Sequence, residues 1–272
     1  MKPVLPGRPT PLLALAVLLV GLAAPRPADA QYFGRNKVQY DELDFRILKT
    51  EHFDIYYYDE GEEVVTHAGR MAERWYARLS RLLDHQLEGR QPLILYTSHP
   101  HFEQTNAVFG EIGESTGGLT EVLKRRIVLP LSGPLDQSDH VIGHELVHAF
   151  QFDITSFAGE GGVGFRGPTA LMLPLWFIEG MAEYLSVGPV DPHTAMWMRD
   201  AAADCCKLPT TADLARSWEF FPYRWGQAFW AFVAGRWGDE AVGKVLKVAG
   251  QSGNPAAALE VVLQTSIDEI NR

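Results

Sequence analysis

Residues 140–153 read HVIGHELVHAFQFD and residues 173–186 read LPLWFIEGMAEYLS. The first stretch holds His144-Glu145-Leu146-Val147-His148. A helix turns once every 3.6 residues or so (about 100° per residue), so side chains at i and i+4 share one face roughly a turn apart, and two imidazoles placed this way can chelate one ion. Zinc accepts neutral histidine nitrogen at about 2.0–2.1 Å, and a catalytic zinc needs further protein ligands and a position open to water. Glu145 follows the first imidazole, within reach of a proton on that water, while Leu146 and Val147 turn toward a core. Chance placement in a chain of this composition yields roughly 0.02 such pentapeptides, so the pattern is informative and a third ligand decides its meaning.

A metzincin would continue with glycine at position 151 and histidine at 154; those positions are Gln151 and Ile154, so that class is excluded. In the second stretch Glu179 and Glu183 stand at i and i+4 of an otherwise apolar helix. Burying two acids on one face is costly unless something positive meets them, and a zinc ion with its imidazoles would do so. Glu179 then reads as the third ligand and Glu183 as an outer acceptor that fixes a ligand histidine's tautomer. The rival arrangement leaves both acids in solvent, or pairs one with Arg199 or Arg216.

Outward from these helices, Phe45 to Tyr58 is rich in aromatic and β-branched residues with a polar break at Lys49 to His52, and predicts a hairpin. Glu62 to Leu87 carries apolar residues at spacings of three and four and predicts a long amphipathic helix. A buried strand follows at residues 93–96, a short helix at His99 to Ala107, and a single strand from Leu119 to Leu131. That strand is expected to line the cleft and to receive a peptide along its edge. Ser138 or Asp139 can cap the first histidine-bearing helix, and Pro174 opens the second after a glycine-rich loop at Gly159 to Gly167. Further helices are expected near 192–206, 223–236, 239–249 and 255–264. The class is therefore α+β: a small mixed sheet backed by helices, then a mainly helical lobe, with the active site between them.

HELVHAFQFD followed by LPLWFIEGMAEYLS resembles the gluzincin pattern of zinc peptidases. More narrowly, together with KVQYDELDFRILKTEHFDIYYY and GGLTEVLKRRIVLPL, it is similar to bacterial peptidase MA-like domains, exported proteins often joined to a C-terminal TolB-like β-propeller. The likeness covers most of residues 36–240. It implies a thermolysin-like arrangement in which His144, His148 and Glu179 ligate Zn2+, Glu145 is general base and acid in peptide hydrolysis, and Glu183 supports His144. By analogy, Tyr223 is the candidate donor to the oxyanion. The implied partners are a peptide or protein substrate and, in a longer product, a propeller. A different class of function, a non-catalytic zinc-stabilised envelope module that positions such a propeller, has no use for Glu145.

Composition bounds the rest. A hydrophobic fraction of 46% in 272 residues supplies a core, and a net charge of -10 is the wrong sign for a nucleic-acid partner. Lys2 and Arg8 precede an apolar run from Pro11 to Ala24, then Ala28-Asp29-Ala30, which reads as a signal peptide cleaved after Ala30. The run is about a dozen residues, short of the roughly 20 that span a bilayer. The expectation is thus a peptidase domain at 31–272, with lobes 31–158 and 159–272, periplasmic or secreted, with no membrane span in the mature chain. Cys205 and Cys206 are neighbours and cannot staple distant segments; two free thiols on a helix are expected. His140 is expected at the surface, the remaining histidines in surface or packing roles, and the aromatic series from Trp225 to Trp237 in the core. Ser266-Ile267-Asp268-Glu269 announces a helix with three residues to follow, so either the terminus frays or the chain is part of a longer product, the second being the expectation.

Overall fold

Alternation in FDIYY turns Phe53 and Ile55 inward and leaves Asp54 and Tyr56 half-buried, as a strand backed on one face requires. This strand, Phe53–Tyr57 (β2), belongs to a five-stranded sheet in a computed structural model that describes residues 36–272 except 59–60, 109, 132–133, 157–166, 204–207 and 218. The other strands are Arg46–Lys49 (β1), Gln91–Tyr96 (β3), Leu119–Glu121 (β4) and Arg126–Pro130 (β5), in the order β1-β2-β3-β5-β4. The central three run parallel, with Ile55 beside Leu93 and Leu93 beside Ile127, while β1 and β4 are antiparallel edges. The sheet is mixed and small, and helices make up most of the rest, so the fold is α+β.

Two helices cover the inner face. Glu62–Leu82 (α1) buries Val65, Ala68, Ala72, Tyr76 and Leu79 along one stripe. It ends earlier than the apolar pattern predicts, because Asp84 takes a left-handed conformation at φ 47° and turns the chain. Leu135–Thr155 (α3) is buried through its second half, where both histidines of the pentapeptide lie. Its start also differs from expectation: Pro134 sits at the N-cap in extended backbone, and Asp139 instead accepts from Arg74 and from Trp75 Nε1. On the opposite face, His99–Glu103 (α2) helps to cover a smaller cluster of Tyr58, Tyr96, Phe102 and Val128.

The single strand expected from Leu119 to Leu131 is a hairpin. Alternation would have carried Lys124 and Arg125 through the sheet. Instead residues 122–125 turn, with Arg125 at φ 53°, and the Glu121 carboxylate accepts from the backbone of Leu123 and Lys124 and from Arg126 Nε. The charges reach solvent or acids, and β4 becomes a short edge strand.

A 3-10 turn at Thr169–Met172 leads to Leu175–Val187 (α4), followed by Pro192–Ala203 (α5), Thr211–Arg216 (α6), Pro222–Trp237 (α7), Asp239–Ser252 (α8), Pro255–Leu263 (α9) and Ile267–Ile270 (α10). The C-terminal capping signal yields one turn, with the Ser266 hydroxyl accepting from Glu269 N. One contiguous core joins Phe53 and Leu93 of the sheet to Phe177, Trp230 and Leu259 of these helices. Trp230 is fully buried and its Nε1 donates to the Phe177 carbonyl, whereas Phe232, expected inside, is 44% exposed. The segment read as a signal peptide, most of the glycine-rich loop, and Cys205 and Cys206 lie outside the described residues. Among the described residues no helix is long and apolar enough to cross a membrane.

Helices α4 and α7 cross where Gly180 meets Gly226. A Cβ on either would overlap the other helix's backbone, so only glycine permits this approach. Gly180→Ala should therefore lower stability by about 3 kcal/mol or more, the upper end of overpacking costs. A urea midpoint equal to that of the parent would mean that the helices do not meet at this point.

Candidate metal centre

The buried end of α3 brings two imidazoles together one turn apart. His144 Nε2 and His148 Nε2 lie 3.1 Å from each other, and Glu179 Oε2 of α4 lies 3.3 Å from the first and 3.2 Å from the second. The three residues form one of the two groups among the described residues whose donor atoms are close enough to share an ion. Two ligands each about 2.05 Å from a tetrahedral ion stand roughly 3.3 Å apart. The spacing of the donor set thus matches that of one face of a zinc tetrahedron.

Tautomers strengthen the fit. His148 Nδ1 lies 2.8 Å from Gln151 Oε1, and the Gln151 amide is oriented by donating its Nε2 to the Ile178 carbonyl at 2.9 Å. The imidazole must therefore donate from Nδ1, which leaves Nε2 as a lone pair. His144 Nδ1 faces Glu183 Oε1 at 3.1 Å, in a contact bent away from a full hydrogen bond. With both Nδ1 atoms turned toward acceptors, two nitrogen lone pairs and a carboxylate oxygen converge on one point, a repulsive arrangement unless a cation sits there.

Without an ion, a proton is the available cation. Burial works to lower the His144 pKa, but the Glu179 carboxylate that accepts from the ring, the facing Glu183 carboxylate and the nearby Glu145 charge outweigh it and hold the imidazole up at about 10. Burial works to raise the two carboxylates. Their imidazole partners win, and both Glu179 and Glu183 stay ionised well below the ordinary carboxylate range.

Glu145 is 6% exposed and points between α3 and β4. Thr120 Oγ1 lies 2.7 Å from its Oε2 and 2.9 Å from its backbone carbonyl. A Cβ at Gly118, just before β4, would stand 2.9 Å from Glu145 Cγ, so a larger residue there would push the Glu145 side chain aside. A cleft of about 330 Å³ opens here, lined by Thr120, Glu145, His148, Leu171, Glu179 and Tyr223 among others. Tyr223, at the start of α7, stacks on the His144 ring at 6.0 Å and 15° between planes. Burial, then the Glu179 carboxylate, raises its pKa far above the ordinary phenol value, so its hydroxyl stays protonated.

The structure gathers His144, Glu145, His148, Glu179, Glu183 and Tyr223 into one site. It does not pair either acid with Arg199 or Arg216. The arginine at Glu183 is Arg224, 3.2 Å from Oε2, and His140 Nε2 lies 3.4 Å from Oε1, so His140 is a half-buried neighbour of the acid rather than a surface residue. His140, His144 and Glu183 are the other group of clustered donors, and there the Arg224 guanidinium already supplies the positive charge. Sequence reasoning missed Thr120, Gln151 and Arg224. Gln151 carried a usable signal, an amide three residues after His148 on the same helix face; Thr120 and Arg224 carried none, since tertiary packing alone brings them in.

No family model matches the chain, and no curated protein does. Among solved structures, the chain is similar to a mutant M1 zinc metallopeptidase from Deinococcus radiodurans, at 14% identity and a TM-score of 0.48. The match covers 85% of this chain and 51% of that one, so the chain spans about half that enzyme's length.

Proposed function

We propose that the protein is a zinc-dependent peptide hydrolase in which His144, His148 and Glu179 hold the ion and Glu145 carries the proton. The observation that supports this most is the triangle of donor atoms at 3.1–3.3 Å with the remaining ring nitrogens turned to acceptors. When bound, zinc supplies a Lewis acid that polarises the scissile carbonyl and brings the pKa of its water toward about 7. Glu145 accepts the proton of the attacking water at its cleft-facing carboxylate and returns it to the departing amine, as a C–O bond forms and the C–N bond breaks. Thr120, on the other carboxylate oxygen, keeps Glu145 aimed. Tyr223 remains a hydrogen-bond donor at neutral pH, as stabilisation of the developing oxyanion requires. An extended peptide adds to the unpaired edge of β4 through backbone hydrogen bonds. We further propose that the domain acts outside the cytoplasm, after removal of residues 1–30.

The purified protein should retain about one zinc, and Glu145→Gln should keep the metal while losing about 10²–10⁴-fold in hydrolysis of a mixed peptide library. Equal cleavage by both proteins would remove the catalytic assignment.

Glu179→Ala should abolish tight zinc binding, and Glu183→Ala should weaken it by about 10–100-fold. The reverse order in a chelator competition would exchange their roles.

Zinc must displace the His144 proton, whose pKa near 10 means that it is bound at neutral pH. Calorimetry in two buffers of different ionisation enthalpy should report about one proton released per zinc at pH 7, and apparent affinity should rise about tenfold per pH unit toward pH 10. Release of no proton at pH 7 would contradict the charge state described for the metal-free cluster.

A further inference from the structure

Glu183 is held on both oxygens. Oε1 faces His144 Nδ1 at 3.1 Å and His140 Nε2 at 3.4 Å, while Oε2 takes Arg224 Nη1 at 3.2 Å. The same Arg224 nitrogen lies 3.1 Å from Asp191 Oδ2, and that oxygen also accepts from Thr194 N at 2.6 Å at the start of α5. One turn further along α7, Gln227 Nε2 donates to the Gly188 carbonyl at 2.7 Å, at the C-terminal end of α4. The guanidinium is therefore held between Glu183 of α4 and Asp191 just before α5, while Gln227 ties its helix to the C-terminal end of α4.

A carboxylate gripped on one oxygen can still rotate about its last torsion, which is broad and has a low barrier. The contact between Glu183 Oε1 and His144 Nδ1 is bent and would tolerate such rotation poorly. An arginine on Oε2 removes that freedom and balances the second charge of Asp191, so Oε1 stays directed at the imidazole. We propose that Arg224 is a positioning residue for the metal ligand His144, acting through Glu183, with Asp191 holding the guanidinium in place. The proposal rests on the zinc reading above and goes beyond it in assigning a residue on a third helix, with Glu183 and His144 standing between it and the ion.

The test is zinc affinity by chelator competition, read beside the visible spectrum of the Co2+-substituted protein. Arg224→Met should weaken zinc by about tenfold and shift the Co2+ bands, and Arg224→Lys should recover part of that affinity. In a Glu183→Gln background, Arg224→Met should add little, because the path through the carboxylate is already broken. Should Arg224→Met fail to fold, Asp191→Asn takes its place, with a loss of a few-fold and a band shift in the same direction.

Unchanged affinity and unchanged bands in the variant that folds, or a full additional loss in the Glu183→Gln background, would overturn the role of Arg224 while leaving the zinc reading intact. A parent protein that holds no zinc, or one whose zinc survives His148→Gln and Glu179→Ala, would overturn the zinc reading and this inference with it.

Discussion

Three lone pairs pointed at one another inside a protein repel unless positive charge sits among them, and the centre of this molecule is organised around that constraint. His144, His148 and Glu179 converge to 3.1–3.3 Å because the backs of the two imidazoles are turned elsewhere, one to Gln151 and one to Glu183. Each outer partner is itself held: Gln151 by the Ile178 carbonyl and Glu183 by Arg224. Fixing a ring through its second nitrogen determines which electrons it offers through the first. The chemistry available at the centre is therefore decided by residues that do not touch it.

Packing makes the convergence possible. Helix α3 lies against the sheet and supplies the histidines and Glu145; α4 supplies the carboxylates; α7 supplies Tyr223 and Arg224. Glycines stand where these segments come closest. Gly118, just before β4, leaves room for the Glu145 side chain, Gly143 leaves room for the Trp75 ring against α3, and Gly180 with Gly226 lets α4 and α7 touch backbone to backbone. Around these contacts lie fully buried aromatics such as Phe150, Trp176, Phe177 and Trp230. Each contributes about 1.5–3 kcal/mol through burial, which offsets the cost of placing so many polar groups inside.

Much of this was legible in the sequence, because local periodicity carries it. Spacing of i and i+4 placed His144 with His148 and Glu179 with Glu183, and the improbability of acids in an apolar run tied the two helices to one another. The alternation that marked Leu119 to Leu131 misled, since it could not register that Glu121 would gather the backbone of Leu123 and Lys124 into a turn. Arg224 was invisible for a deeper reason. It sits 41 residues from Glu183, and nothing local distinguishes it from Arg199 or Arg216, which the sequence offered equally well. Only the glycine crossing selects it, and a glycine's meaning depends on what lies across from it.

Tyr223 and Arg224 are consecutive, yet one stacks on His144 from the cleft side and the other grips the acid behind that ring. They ride on a single rigid rod that touches its neighbour at Gly226, less than one turn away. A tilt about that fulcrum cannot move the phenol without also dragging the guanidinium. The phenol against one side of the His144 ring and the guanidinium on the acid behind it thus share one mechanical degree of freedom.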